Sequence, residues 1–206
     1  MPCIHPPLRH GAILSAALVC LALASGAQAQ NPAPGTPDMN AQQRQMMSYT
    51  PELRQKVMAL SPEIKMKLQQ IHAQHTRHSN DLTLRQVMQE ILSEYQSIAA
   101  ALATDNGPQA ADSARRLADH RIPRGGLLPY MPLDKIDNKN IGVLPAMNNA
   151  VEGSALKLAE AADKGDMQAA SRHMSDIMSG CVACHQIFRG QPGTSPNLVQ
   201  PNNNAK

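Results

Sequence analysis

The sequence predicts an all-α protein: an antiparallel four-helix bundle preceded by a short helical extension. Three observations carry that prediction. Aromatic residues are scarce, with three Tyr, one Phe and no Trp, so Ala, Leu and Met supply the apolar mass and favour helix over sheet. Four segments carry apolar residues at helical spacing. Two of the connections between them are tight and one is long, as in a bundle whose neighbours run antiparallel.

The elements follow in order. Residues 1–29 read as a secretory signal peptide. Arg9 and His10 precede an apolar stretch, residues 11–24, that is too short to span a bilayer, and Ala27-Gln28-Ala29 is a small-x-small cleavage site. Val19 before Cys20 argues against a lipoprotein signal, which needs a small residue there. The expected location is periplasmic, with no membrane insertion after cleavage. Residues 30–79 read as a linker and helical extension. The first part, to Asn40, is Pro-rich and polar. Thr50-Pro51-Glu52 and Ser61-Pro62-Glu63 then have the form of helix starts, with a hydroxyl cap, Pro at the first helical position and an acid in the first turn. One or two short helices are expected there, outside the main domain.

The domain itself is expected over residues 80–190. Asn80 or Asp81 caps a first helix in which Leu84, Met88, Ile91, Tyr95, Ile98 and Leu102 recur at spacings of 4, 3, 4, 3 and 4. It stops at Asp105-Asn106-Gly107. The second helix runs from Pro108 to about His120, with Ala110, Ala114 and Leu117 on one face. Residues 121–140 carry Pro, Asn and paired Gly, and form a long loop of the kind that covers something. The third helix spans about 141–164, with Leu144, Met147, Val151, Ala155, Leu158 and Ala162 inward. Gly165 ends it and Asp166 caps the fourth, whose inward set is Ala170, Met174, Ile177, Cys181, Cys184 and Phe188. Residues 191–206 read as a disordered tail.

The chemistry lies at the end of the fourth helix. Once the signal peptide is removed with Cys3 and Cys20, the chain keeps only Cys181 and Cys184. A single pair three residues apart is not a disulfide scaffold. Cys181-Val182-Ala183-Cys184-His185 is C-x-x-C-H, the attachment signal for c-type haem. On a helix, positions i, i+3 and i+4 share a face, so both thiols meet the same surface and His185 follows as the axial iron ligand. A structural zinc site would need a second ligand pair, and a thioredoxin-like motif would need a strand before the helix; neither pattern is present. The cofactor expected is one covalent haem c.

A C-x-x-C-H-x-x-F-R run on the last helix of a four-helix bundle resembles the class II c-type cytochromes, the cytochrome c-prime family, over roughly residues 80–190. The resemblance implies a sixth iron position facing the first helix. A Met there makes an electron carrier, and an apolar residue leaves iron open to small gases. Met88 lies about 10 Å into the first helix and His185 about 8 Å from the end of the fourth, similar depths in antiparallel helices. Aligning the family's first-helix seam also points to Met88. Met147 and Met131 are alternative ligands, and so is an unfilled position. Arg189 resembles the Arg after the family motif and is a candidate propionate contact. The family's Arg one turn before the distal residue is replaced here by Leu84, with Arg85 beside it.

The function expected is one-electron transfer to redox partner proteins, not catalysis. The alternative is a five-coordinate haem protein that binds or sequesters a gas such as nitric oxide. The formal charge of +3 gives no reason to expect nucleic acid or an anionic membrane as partner, and a homodimer is in keeping with the family. His72, His75 and His78 stand at i, i+3 and i+6. They are read first as a solvated polar face, and second as ligands for copper or nickel. His120, at a helix end, is read as a favourable partner of the helix dipole.

Overall fold

A computed structural model describes residues 41–189, 195 and 197–199. The signal peptide expected over residues 1–29, the Pro-rich lead-in (residues 30–40) and most of the tail lie outside the described residues. Those described are mostly helical, and their β-structure is confined to two isolated bridges, Tyr49 with Leu198 and His78 with Ile122. No helix among them is long and apolar enough to cross a membrane.

The extension begins with α1 (Ala41–Met47). It continues with α2 (Pro51–Ala59) and α3 (Pro62–Ala73). Thr50 and Ser61 cap the second and third through their side-chain oxygens, each with Pro at the first helical position, as the sequence dictates.

Helix α4 (Leu84–Ala103) starts later than the caps at Asn80 and Asp81 would place it. Thr83 and Gln86 make a reciprocal capping box that satisfies two orphan donors, and a lone Asn or Asp cap cannot match that. Asp105, with φ of 53°, turns the chain into α5 (Gly107–Ala118), which Asn106 caps. Residues 121–140 form a compact stretch with two short 3₁₀ turns and α6 (Asn138–Ile141). The third long rod combines α7 (Leu144–Asn148), a π turn (Asn149–Gly153) and α8 (Ser154–Asp163). Asp166 caps α9 (Met167–Phe188).

Helix α4 packs on α5, α5 on α8 and α8 on α9, and α9 returns to α4 along a looser contact. Because α5 and α8 meet through alanines, they approach closely. Ala110, Ala111, Ala114, Ala155, Ala159 and Ala162 are all buried there beside Leu117 and Leu158. A hydrogen bond between the Ser97 and Ser113 hydroxyls (2.8 Å) joins α4 to α5.

There are two apolar cores. The first joins Ile98 and Ala101 of α4 to the α5–α8 alanines and to Ala170 and Ile177 of α9. The second joins Leu53, Leu60 and Ile64 of the extension to Leu128, Tyr130, Met131 and Ile136 of the 121–140 stretch, and to Leu144 and Phe188. The extension thus shares a core with the rest, and the long loop is the layer it rests on.

Of the expected disordered tail, Ser195, Asn197 and Leu198 are buried and Val199 is exposed. Leu198 is buried in the second core, Asn197 donates to the Pro129 carbonyl (3.0 Å), and the Thr50 amide donates to the Asn197 carbonyl (2.9 Å). Gly125, with φ of +75°, makes room for Leu198: a β-carbon there would lie 2.7 Å from its side chain.

Helix α9 lies close against the third rod at Gly180. A β-carbon there would lie 2.8 Å from Val151 Cγ2 and 3.1 Å from the Ala150 backbone. Substitution Gly180→Leu is therefore expected to lower the unfolding free energy by about 3 kcal/mol, the upper end of the overpacking range. Urea denaturation followed by circular dichroism checks this, and an unchanged midpoint would mean that the two helices part freely.

Candidate functional site

The inward set of α9 divides between the two cores. Cys181 packs against the first, with Ile91, Tyr95 and Met174 as its half-buried companions. Cys184 packs against the second, with Leu84, Met147 and Ile187. The thiol pair therefore straddles the boundary where one core gives way to the other. The helical spacing sets this: three residues along α9 advance about 4.5 Å at 1.5 Å per residue.

Both thiols are free and half-buried. Burial pushes both above the ordinary thiol range, and the nearness of Cys181 raises Cys184 further. Burial also raises the Tyr95 hydroxyl, to which the charge of the nearby Cys181 adds. Leu84 shares the second core with Cys184, and Tyr95 lies near Cys181, so α4 and α9 are antiparallel. Met88 lies on α4 between these two levels, half-buried and belonging to neither core.

The other predicted site residues are distributed unevenly. His185 is in the last turn of α9 and is exposed. Its carbonyl accepts from the Arg189 amide (3.2 Å), and Arg189 is the exposed residue that closes the helix. Met147 is half-buried and Met131 fully buried, both in the second core beside Cys184. The donor chemistry suits a covalent haem: two unpaired, half-buried thiols on one helical face, with Tyr95 near Cys181.

A second cluster was not legible in the sequence. His75 is beyond the end of α3, so the helical spacing read for His72, His75 and His78 does not hold. Nor is His75 on a solvated face: it is 4% exposed. Its Nε2 lies 3.0 Å from Glu152 Oε1, and His120 Nε2 lies 3.3 Å from the same oxygen. Glu152 sits in the π turn and is buried, with Asn148 Nδ2 donating to its other oxygen (2.8 Å). The two rings are 4.7 Å apart between centroids. His120 is thus tied to a carboxylate, and is not only a partner of the α5 dipole.

The electrostatics follow. Burial alone would lower His75, but the hydrogen bond and charge of Glu152 outweigh it and the net shift is upward from 6.5. Burial alone would raise Glu152, but the two imidazoles outweigh it and bring it down to about 2. His72 moves the other way. Burial lowers it, helped by the neighbouring His78, whose ring centroid is 6.2 Å away.

No protein-family model matches the chain, and no curated protein or solved structure matches it either.

The cluster makes stability depend on pH from both sides. A raised His75 stabilises fully below its ordinary 6.5, and that contribution is lost as pH rises through its folded value. A depressed Glu152 stabilises fully above its ordinary 4.5, and that contribution is lost as pH falls toward about 2. In metal-free buffer Glu152→Gln is expected to cost about 3 kcal/mol, the low end for breaking a buried charge pair. The loss should be largest between pH 4.5 and 6.5. Thermal melts of both proteins across pH 3 to 9 check it, and a pH-independent difference would refute the assignment.

Proposed function

We propose that the protein is an exported mono-haem c-type cytochrome that carries one electron at a time between partner proteins. In this reading α4, α5, the α7–α8 rod and α9 are an antiparallel four-helix bundle, which their closed order of contacts supports. The observation that carries the reading is the C-x-x-C-H run with both thiols half-buried on one face of α9, at the boundary of the two cores. The signal-like leader favours the same compartment in which such haem attachment is used.

Bound haem supplies a reversible iron(III)/iron(II) couple. Cys181 and Cys184 would hold it by thioether bonds, and His185, next in sequence, would ligate iron. Met88 is the distal ligand that fits best. It lies on the α4 stripe between the levels of Leu84 and Tyr95, and neither core claims its side chain. A thioether ligand favours the reduced state and raises the potential. Met131 fits less well, because its side chain is fully buried within the second core. The low-dielectric walls of Leu84, Ile91 and Tyr95 would exclude water from one side, which narrows the solvent reorganisation that accompanies a change of charge. The reading is of an electron carrier and not an enzyme.

The test is the optical spectrum of the purified protein, oxidised and reduced, with the haem challenged by acid-acetone extraction. Retention of haem by the native chain, and its release from Cys181→Ser/Cys184→Ser, is expected. Low-spin ferric iron with the far-red band of iron–methionine bonding, lost in Met88→Ala, is expected for the carrier. A high-spin spectrum indifferent to that substitution would make gas binding the better reading. A protein that takes up no haem when matured in a host competent for c-type cytochromes would refute the haem assignment.

A further inference from the structure

The cluster of His75, His120 and Glu152 plays no part in the haem reading and is argued apart from it. Its protonation pattern is unusual. His75 Nδ1 is 3.0 Å from the Ile71 carbonyl and His120 Nδ1 is 2.9 Å from the Arg121 carbonyl. A carbonyl only accepts, so each Nδ1 carries the hydrogen and donates it. In each neutral ring that leaves a bare lone pair on Nε2, and both lone pairs are turned on Glu152 Oε1. Three lone pairs facing one another inside a protein repel unless something positive lies among them.

The ring centroids stand 4.7 Å apart, so both Nε2 atoms converge on the one carboxylate oxygen. A single divalent cation satisfies all three atoms at once. The spacing agrees. Zinc bonds of about 2.0–2.1 Å in tetrahedral geometry separate neighbouring ligand atoms by about 3.3 Å. The two nitrogen–oxygen distances are 3.0 and 3.3 Å, and all three ligand atoms lie within 4.8 Å of one another.

The outer partners of a metal site are also in place. Backbone carbonyls fix both imidazole tautomers, and Asn148 Nδ2 orients the carboxylate from behind. Asp119 is adjacent to His120 but is committed elsewhere, with its two oxygens accepting from the Thr76 amide and hydroxyl. A cleft of about 490 Å³ borders Glu152, between Gln74, Asn148 and Gly153.

We propose that His75 Nε2, His120 Nε2 and Glu152 Oε1 form a binding site for a divalent transition-metal ion of the zinc class. Three protein ligands leave a coordination position for water or a small anion. Uptake replaces any proton on either Nε2, which leaves to solvent, and no electron moves.

The experiment is calorimetric titration of the chelator-treated, dialysed full-length protein with zinc chloride. Cobalt(II) chloride, followed by visible absorption, is the second probe. One saturable zinc equivalent and the intense visible bands of low-coordinate cobalt are expected. His120→Gln and Glu152→Gln should each weaken zinc by more than the about 10–100-fold that loss of an outer partner costs. The joint substitution His72→Gln/His78→Gln/His173→Gln should leave that equivalent in place. The proposal is overturned if no saturable binding occurs, if the cobalt spectrum is that of weak octahedral coordination, or if the joint substitution abolishes binding. It is also overturned if binding survives both single substitutions. The cobalt spectrum of the unsubstituted chain needs no variant to fold, so a destabilised Glu152→Gln does not blunt the test.

Discussion

Helix α9 has to serve two apolar cores at once, and most of the molecule is arranged around that demand. Its first half, with Ala170 and Ile177, closes the alanine-rich interior of α4, α5 and α8. Its last turn, with Ile187 and Phe188, enters a core built largely by the extension and the 121–140 stretch. Between these halves Gly180 lets the helix lie against the π turn at a distance no side chain would allow. The two cysteines follow at once, at the level where neither core is complete. The proposed haem would therefore sit where the apolar interior changes owners, bordered on both sides by packed side chains.

Much of this was legible in the sequence, for local reasons. Thr50-Pro51, Ser61-Pro62 and Asp166 mark helix starts because capping is decided by a few neighbouring residues, and all three cap as written. The inward faces of α5 and α9 follow from a 3.6-residue period. What could not be read were features that depend on contact across the chain. The first cap moved from Asn80 or Asp81 to Thr83, since Gln86 completes a box there. Leu198 and Asn197 look like tail residues until the Pro129 carbonyl and the surface above Gly125 are in view. Of the site, the thiol pair and its helical face were legible. The split of that face between two cores was not, because half of the second core comes from segments that read as peripheral.

The histidine cluster shows the same division more sharply. Spacing alone put His72, His75 and His78 on an exposed helical face, whereas α3 ends at Ala73 and the chain turns His75 inward. Its partners come from the end of α5 and from a π turn in the third rod. A π turn leaves a wide loop in the helical ladder, and such loops concentrate at functional sites. Nothing in the sequence set Glu152 apart, since Asn148, Asn149 and Ser154 make the stretch around it polar as well. The extension is thereby bound to the rest of the molecule by polar contacts as well as apolar ones: Thr76 on Asp119, Arg77 on Glu90, and His75 on Glu152.

The bridge between Tyr49 and Leu198 bears on how the chain assembles. Residues 149 positions apart in sequence meet there, so this contact is one of long range. Asn197 and Leu198 are synthesised well after the Tyr49-Thr50 segment that they contact. During synthesis, and during any transport of the unfolded chain, the extension has nothing complete to dock against. Contacts of long separation form late and slow the approach to the native state. The alanine interfaces of the long helices join segments nearer in sequence than this contact does.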